Sequence, residues 1–384
     1  MGLKAEKANA ANRQITVAQN PNSLMAAIFV KGQRLKMKIN HIASLSAVLT
    51  VAALLGAASC SNDAAKQARK VSDITPASSP WPEYPQVRKI EYLSSGDNTM
   101  QPALFYPPRT DEAVPLLVGL HTWSGNYRQG LSKPYADWCI KKGWVLIHPH
   151  FRGHNKRPEA CGSELVVADI LTAVEYAKQN AKIDSSRIYM IGGSGCGYTS
   201  LLMAGRAPEI WAGVSSWVPI TVLEDWYYEC KQLGCEEHAG DIVNSCGGLP
   251  GQSPEIEAQY VHRSPVTHLK NAVNVPLDIN AGIRDGHHSG GVPINHSFNA
   301  FNVLTAPSDR VSDEDIKYFV EKSEVPAHLK QTISDPIYGL KKPLFRRVSG
   351  NTRLTFFDGA HAMVYEAALT WLSKQKKQTP PKSK

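Results

Sequence analysis

The chain has 384 residues, 42% hydrophobic and 20% charged, which excludes intrinsic disorder, a collagen-like rod and a continuous coiled coil. Its net charge of +8 is unevenly placed, because residues 1–59 hold Lys4, Lys7, Arg13, Lys31, Arg34, Lys36 and Lys38 against Glu6 alone. Taking these from the totals of 42 and 34 leaves 35 basic and 33 acidic residues, with the excess in the lysine-rich C-terminal tail, so no nucleic-acid partner is expected.

Residues 1–36 are polar and do not fit a signal-peptide n-region, which points to a translation start at Met37. Ile42 to Ser59 is an uncharged apolar run behind Lys36 and Lys38, the order of a basic n-region and a hydrophobic h-region. The run ends at Cys60-Ser61-Asn62-Asp63, which resembles the cleavage box of bacterial lipoproteins and implies lipid attachment at Cys60. Ala57 departs from that box, where Leu is usual. Signal cleavage near Ala58 or an uncleaved anchor are the alternatives. All three readings export the remainder, as a periplasmic or cell-envelope lipoprotein or as a secreted protein.

The chain is therefore divided into a leader and signal segment (1–59), a polar tether (60–80), one α/β domain (81–374) and a basic tail (375–384). Within the domain, Val87–Tyr92 and Ala103–Tyr106 read as a strand pair joined by a turn. Pro115–Leu120, Trp144–Ile147, Ile188–Ile191, Trp211–Trp217, Leu277–Ala281 and Leu354–Phe357 are apolar throughout, as strands buried on both faces are. Helical patterns cover 133–142, 164–179, 197–207, 297–304 and 362–374. The alternation predicts a mostly parallel sheet covered on both sides. Residues 219–262 and 305–350 break the pattern and are expected to be lid-like insertions, the second with a helix start at Ser312-Asp313-Glu314-Asp315. No internal repeat is present.

Cys139, Cys161, Cys196, Cys230, Cys235 and Cys246 follow the leader. An even number in an oxidising compartment permits disulfides, with the pairing open. For Cys230, Cys235 and Cys246 a local disulfide is preferred to zinc, because no paired C-x-x-C or histidine spacing accompanies them.

The chemistry is signalled where the strand Ile188–Ile191 runs into Gly192-Gly193-Ser194-Gly195-Cys196-Gly197 and then into a helix. A serine exposed on a strand-to-helix turn, flanked by glycines that permit its sharpness, is a nucleophile elbow. The stretch lacks the Lys-Ser/Thr ending of a P-loop and the spacing of a dinucleotide fingerprint. It resembles the elbow of the prolyl oligopeptidase-like serine hydrolases of the α/β-hydrolase fold. The likeness extends over about residues 87–374, through FRG at 151–153, Ser264-Pro265, VPLDINAGIRDG, VPINHS and FFDGAHAMV. It implies Ser194, Asp285 and His361 as nucleophile, acid and base in that chain order. The Gly195 N–H is implied as one oxyanion donor, and the Trp123 N–H by position as the other.

Three departures accompany the resemblance. The loop after PLLVGL reads His121-Thr122-Trp123-Ser124-Gly125 instead of an HG or HGG run, so the Trp123 indole is expected to wall the substrate pocket. Cys196 replaces a usual glycine and is read as a buried packing residue. The loop after Asp285 is lengthened by GHHSGG, in which His287 and His288 are read as exposed loop and not as metal ligands. Asp358 and Asp278 are fallback acids. His148, His150, His154 and His296 are read as structural or pocket-edge, and Trp226, Tyr227 and Tyr228 as an aromatic lid over substrate or, equally, as core.

The resemblance implies an acyl-enzyme serine hydrolase without metal or organic cofactor. With no room ahead of the domain for the family's β-propeller, two enzyme readings follow: a peptidase acting on short peptides, or a carboxylesterase acting on acylated carbohydrates or small esters. A catalytically silent binding module is the alternative from another class. The partners expected are a small peptide or ester and, through Cys60, a membrane.

Overall fold

The apolar runs assemble into one nine-stranded sheet in a computed structural model that describes residues 79–287 and 291–377. The described residues belong to one unit, Lys70–Lys384. The leader, Cys60, most of the tether, His288 and the end of the tail lie outside them.

In chain order the elements are β1 (Arg88–Leu93), β2 (Met100–Tyr106), β3 (Val114–Gly119), α1 (Lys133–Lys142), β4 (Val145–Pro149), α2 (Glu164–Asn180), β5 (Ile183–Gly193), α3 (Gly195–Arg206) and β6 (Gly213–Trp217). There follow α4 (Leu223–Leu233), α5 (Glu236–Cys246), α6 (Pro254–Arg263), α7 (Pro265–His268), β7 (Leu277–Gly282), α8 (Asn295–Leu304), α9 (Asp313–Lys322), β8 (Pro343–Ser349), β9 (Thr352–Phe357) and α10 (Tyr365–Ser373).

The sheet order is β1-β2-β4-β3-β5-β6-β7-β9-β8. The pairings from β4 through β3, β5, β6 and β7 to β9 are parallel, and β1-β2, β2-β4 and β8-β9 are antiparallel. Every residue of β4, β6 and β7 is buried, so both faces of these strands are covered, which is why they read as unbroken apolar runs. Local chemistry sets the ends of the helices. Ser163 Oγ accepts from Val166 N at the start of α2, and Gly143, at φ 67°, closes α1 in the left-handed region.

The structure corrects several boundaries. The run from Trp211 is a strand only from Gly213, because the Trp211 indole turns back to donate to Met203 O at 3.0 Å. The last helix begins at Tyr365 and leaves 362–364 as loop. Residues 219–262 hold three helices, α4 to α6. Residues 305–350 hold α9 and also β8, an edge strand whose Arg346 and Arg347 are half-buried, a texture that conceals a strand. Among the described residues no helix is long and apolar enough to cross a membrane.

Two buried histidines and a half-buried one, His121, His148 and His150, lie around the ends of β3 and β4. His148 donates from Nδ1 to Gly119 O at 2.7 Å, and His121 Nε2 lies 2.6 Å from His150 O. Burial pushes His121 down to about 3, and His148 and His150 down to about 4, from the ordinary 6.5. Folded-state values below the unfolded one mean that the unfolded chain binds more protons as pH falls through 6.5 toward 4. Stability is therefore expected to be held above that window and lost progressively within it, which urea melts at stepped pH would read. A flat profile between these limits would contradict the burial argument.

Candidate active site

β5 delivers the elbow directly to α3. Ser194 precedes the first turn of α3 with φ 62° and ψ −126°, a backbone state that costs an L-residue energy and is typical of functional turns. Its tightness is visible at Gly192, where a Cβ would lie 2.3 Å from Cys196 O. At Gly195 a Cβ would lie 2.4 Å from Trp123 N, so the loop after β3 and the start of α3 are in backbone contact. The first N–H groups of a helix have no partner within it and carry its positive dipole end, a fit environment for an oxyanion.

Asp285, three residues beyond β7, is buried. It accepts hydrogen bonds from the N–H of Gly286 (2.9 Å) and Val292 (3.0 Å). His361, in the loop after β9, points Nδ1 at both Asp285 oxygens, at 2.9 and 3.0 Å. A carboxylate can only accept, so Nδ1 carries the proton and Nε2 is left basic. Asp358 instead pairs with Arg284 at the surface, and Asp278 with Arg353 at 2.8 Å. Neither fallback acid faces His361.

Ser194 and His361 line one cavity of about 330 Å³ together with Gln129, Tyr135, Met363 and Tyr365. Among the described residues Ser194 Oγ has no hydrogen bond to His361; catalytic contacts of this kind commonly tighten when substrate engages. Among the described residues no Lys, Arg, Asp or Glu lines the cavity. Gln129 Oε1 accepts from Thr122 N (3.0 Å) and Thr122 Oγ1 (2.9 Å) and so stiffens the loop before Trp123. Cys196 also reaches the cavity, but its Sγ donates to Gly193 O at 2.8 Å and burial pushes its thiol up to about 12. It is a packed thiol and not a thiolate at neutral pH.

Of the two readings of the insertion's aromatics, the structure shows packing in a core, and the Trp123 indole departs from its expected place on the pocket wall. Trp123 and Trp226 are each 3% exposed. They pack edge to face at 4.7 Å in a second core with Tyr198, Ile242 and Tyr260, and Tyr227 packs against that core from outside. None of the three side chains lines the cavity beside Ser194. The reason is polar as well as apolar: Trp123 Nε1 donates to Asp241 Oδ2 at 3.0 Å, and the same oxygen faces His154 Nε2 at 2.7 Å. The Trp123 indole is thereby turned into the helical insertion, while its backbone stays against Gly195.

Two further histidines have polar partners. His296 Nε2 meets Glu229 at 2.8 Å, and His287 Nε2 lies 2.8 Å from Ser323 Oγ. Cys139, Cys161, Cys196, Cys230 and Cys246 are free thiols, so the disulfides permitted by the cysteine count are not formed by them. Cys235 gathers with Cys230 and His238, and Cys246 is not one of that group. The cavity walls Tyr135, Met363 and Tyr365 were missed from sequence because they come from α1 and from the junction after His361, with no local pattern to mark them.

A model of the prolyl oligopeptidase family matches residues 133–324, half of the chain. Acylamino-acid-releasing enzyme 2 of Oryza sativa subsp. japonica is 23% identical over 212 residues, covering 50% of this chain and 26% of that protein. Feruloyl esterase B of Thermothelomyces thermophilus is 26% identical over 205 residues, covering 44% of this chain and 65% of that protein. The chain thus spans about a quarter of the first relative and just under two thirds of the second.

Among solved structures, an acylaminoacyl peptidase in complex with Z-Gly-Gly-Phe-chloromethyl ketone aligns with TM-score 0.48 and 16% identity, over 77% of this chain and 43% of that one. A thermostable esterase aligns with TM-score 0.43 and 16% identity, over 76% and 64%. Elbow, parallel sheet and matched model agree: the chain is a serine hydrolase of the α/β-hydrolase fold and belongs to the prolyl oligopeptidase family.

Proposed function

We propose that Ser194, His361 and Asp285 form the catalytic triad of a peptidase acting on short peptides through an acyl-enzyme. The observation that carries this reading is the buried Asp285 holding His361 Nδ1, with the imidazole and Ser194 sharing one cavity. His361 Nε2 takes the proton from Ser194 Oγ as the oxygen attacks the substrate carbonyl carbon, and returns it to the leaving amine as the carbonyl–nitrogen bond breaks. Water then enters by the same route, giving up a proton to His361 while its oxygen attacks the acyl carbon, and Ser194 recovers its proton as the acid leaves. Asp285 fixes the tautomer throughout and stabilises the imidazolium.

The N–H groups of Gly195 and Trp123 are the proposed oxyanion donors. Gly195→Ala is then expected to lower kcat by about 10²–10³-fold, the usual cost of losing one such donor, because the new Cβ meets Trp123 N at 2.4 Å. An unchanged kcat with an unchanged melting temperature would remove that assignment.

The uncharged cavity walls favour a second reading as a carboxylesterase acting on acylated carbohydrates or other small esters. Feruloyl esterase B, 26% identical, supports it, as acylamino-acid-releasing enzyme 2 supports the first. Rates on short chromogenic peptide amides, p-nitrophenyl acetate and acetylated xylooligosaccharides separate the two. Amide cleavage that depends on Ser194 is the expected result, and fast ester turnover with inert amides would select the esterase. Export and membrane attachment through Cys60 belong to the same proposal, and the mass of the mature N-terminus would read them.

A further inference from the structure

Two neighbouring helix ends bring together three side chains that the catalytic reading does not use. Cys230 sits in the last turn of α4, which closes at Gly234 in the left-handed region, φ 70°. That closure folds the chain back so that Cys235 N donates to Cys230 O at 2.8 Å, placing Cys235 just before α5 and His238 in the first turn of α5. The Sγ atoms of Cys230 and Cys235 and one ring nitrogen of His238 lie within 4.8 Å of one another. Both cysteines are buried, at 1% and 7% exposure. The imidazole packs with the Trp226 ring at 5.5 Å, which restrains it on that side.

We propose that Cys230, Cys235 and His238 bind one Zn²⁺ ion, which ties α4 to α5. Two sulfurs and one imidazole nitrogen are the donor set of a borderline-soft d¹⁰ ion. At ordinary Zn–S and Zn–N lengths of about 2.3 and 2.0 Å, ligand atoms around one ion stand roughly 3.5–4 Å apart, inside the observed spread. On binding, each thiol becomes a thiolate, so two protons pass to solvent as two Zn–S bonds form. The ion would staple the insertion at the point where Trp226 of α4 and Asp241 of α5 both touch Trp123. The proposal does not depend on the choice between peptide and ester.

The test uses untagged full-length protein, reduced and freed of metal, titrated with Co²⁺ as a spectroscopic stand-in and then with Zn²⁺. The expected result is one equivalent with a thiolate-to-cobalt charge-transfer band and the intense visible bands of tetrahedral cobalt, displaced by Zn²⁺. Cys230→Ser and His238→Gln are each expected to weaken Zn²⁺ binding at least about tenfold. Zn²⁺ should raise the melting temperature of wild type but not that of Cys230→Ser. The wild-type titration alone can overturn the proposal, since absence of the charge-transfer band refutes it even where a variant fails to fold. Binding that survives both substitutions also overturns it, as does a Cys230–Cys235 crosslink in protein isolated without reductant.

Discussion

Ser194→Ala is expected to lower kcat by about 10⁴–10⁶-fold, the loss typical when a triad nucleophile is removed, with the melting temperature little changed. The size follows from what the hydroxyl supplies. In the proposed mechanism its loss removes the acyl-enzyme and leaves only the proposed oxyanion donors and binding to assist attack by water. The fold should not notice, because alanine inherits the same strained φ of 62° and Ser194 Oγ has no hydrogen bond among the described residues to lose. Ser194→Gly sharpens the point, as relief of that strain should raise stability by roughly 1 kcal/mol while turnover stays lost. His361→Ala should cost nearly as much as Ser194→Ala, and the double variant little more, since the residues act as one unit. Single-turnover kinetics beside fluorophosphonate labelling would measure this, and turnover within tenfold of wild type in Ser194→Ala would sink the mechanism.

Arg152→Ala should destabilise the domain by about 3–5 kcal/mol, the cost of stripping one partner from a buried ion pair. Arg152 donates from Nε to Asp169 Oδ2 at 2.7 Å and from Nη2 to Asp169 Oδ1 at 2.9 Å, and its Nη1 donates to Asp97 Oδ2 at 2.6 Å. Asp169, in the middle of α2, is fully buried, so losing the guanidinium leaves an uncompensated carboxylate in the core. The same guanidinium holds the Asp97 carboxyl well below the usual carboxylate range, aided by Thr99. It also restrains a strained segment, since Phe151, Arg152 and Gly153 have φ of 31°, 75° and 69°. Arg152→Lys should recover only part of the loss, because an ammonium cannot fork between two carboxylates. Urea melts of the three proteins would decide, and a change under 1 kcal/mol for Arg152→Ala would mean that the network is replaceable by water.

In this chain the arginine of FRG holds the β1–β2 turn to α2. The central strands were legible because burial on both faces forces continuous apolar sequence, and β8 was not, because an edge strand tolerates Arg346 and Arg347. Asp285 was picked out by chain order, and in the structure its carboxylate, held by the Gly286 and Val292 amides, meets His361 Nδ1. The Trp123 indole was misplaced because sequence gives no sign of Asp241, 118 residues later, as its partner. The grouping of His238 with two cysteines was not legible for a related reason: spacing puts Cys246 with Cys230 and Cys235, whereas the left-handed turn at Gly234 brings a histidine beside them.

The bond from Trp123 to Asp241 bears on how such an enzyme can diversify. Insertions between core strands are commonly treated as interchangeable modules that tune specificity while leaving the chemistry alone. Here the segment between β6 and β7 supplies the anchor for the residue whose amide abuts Gly195. Exchanging α4 to α6 for the corresponding segment of a relative would carry the anchor away with the specificity. Successful chimeras should therefore be those that transplant the loop at 121–125 together with the insertion.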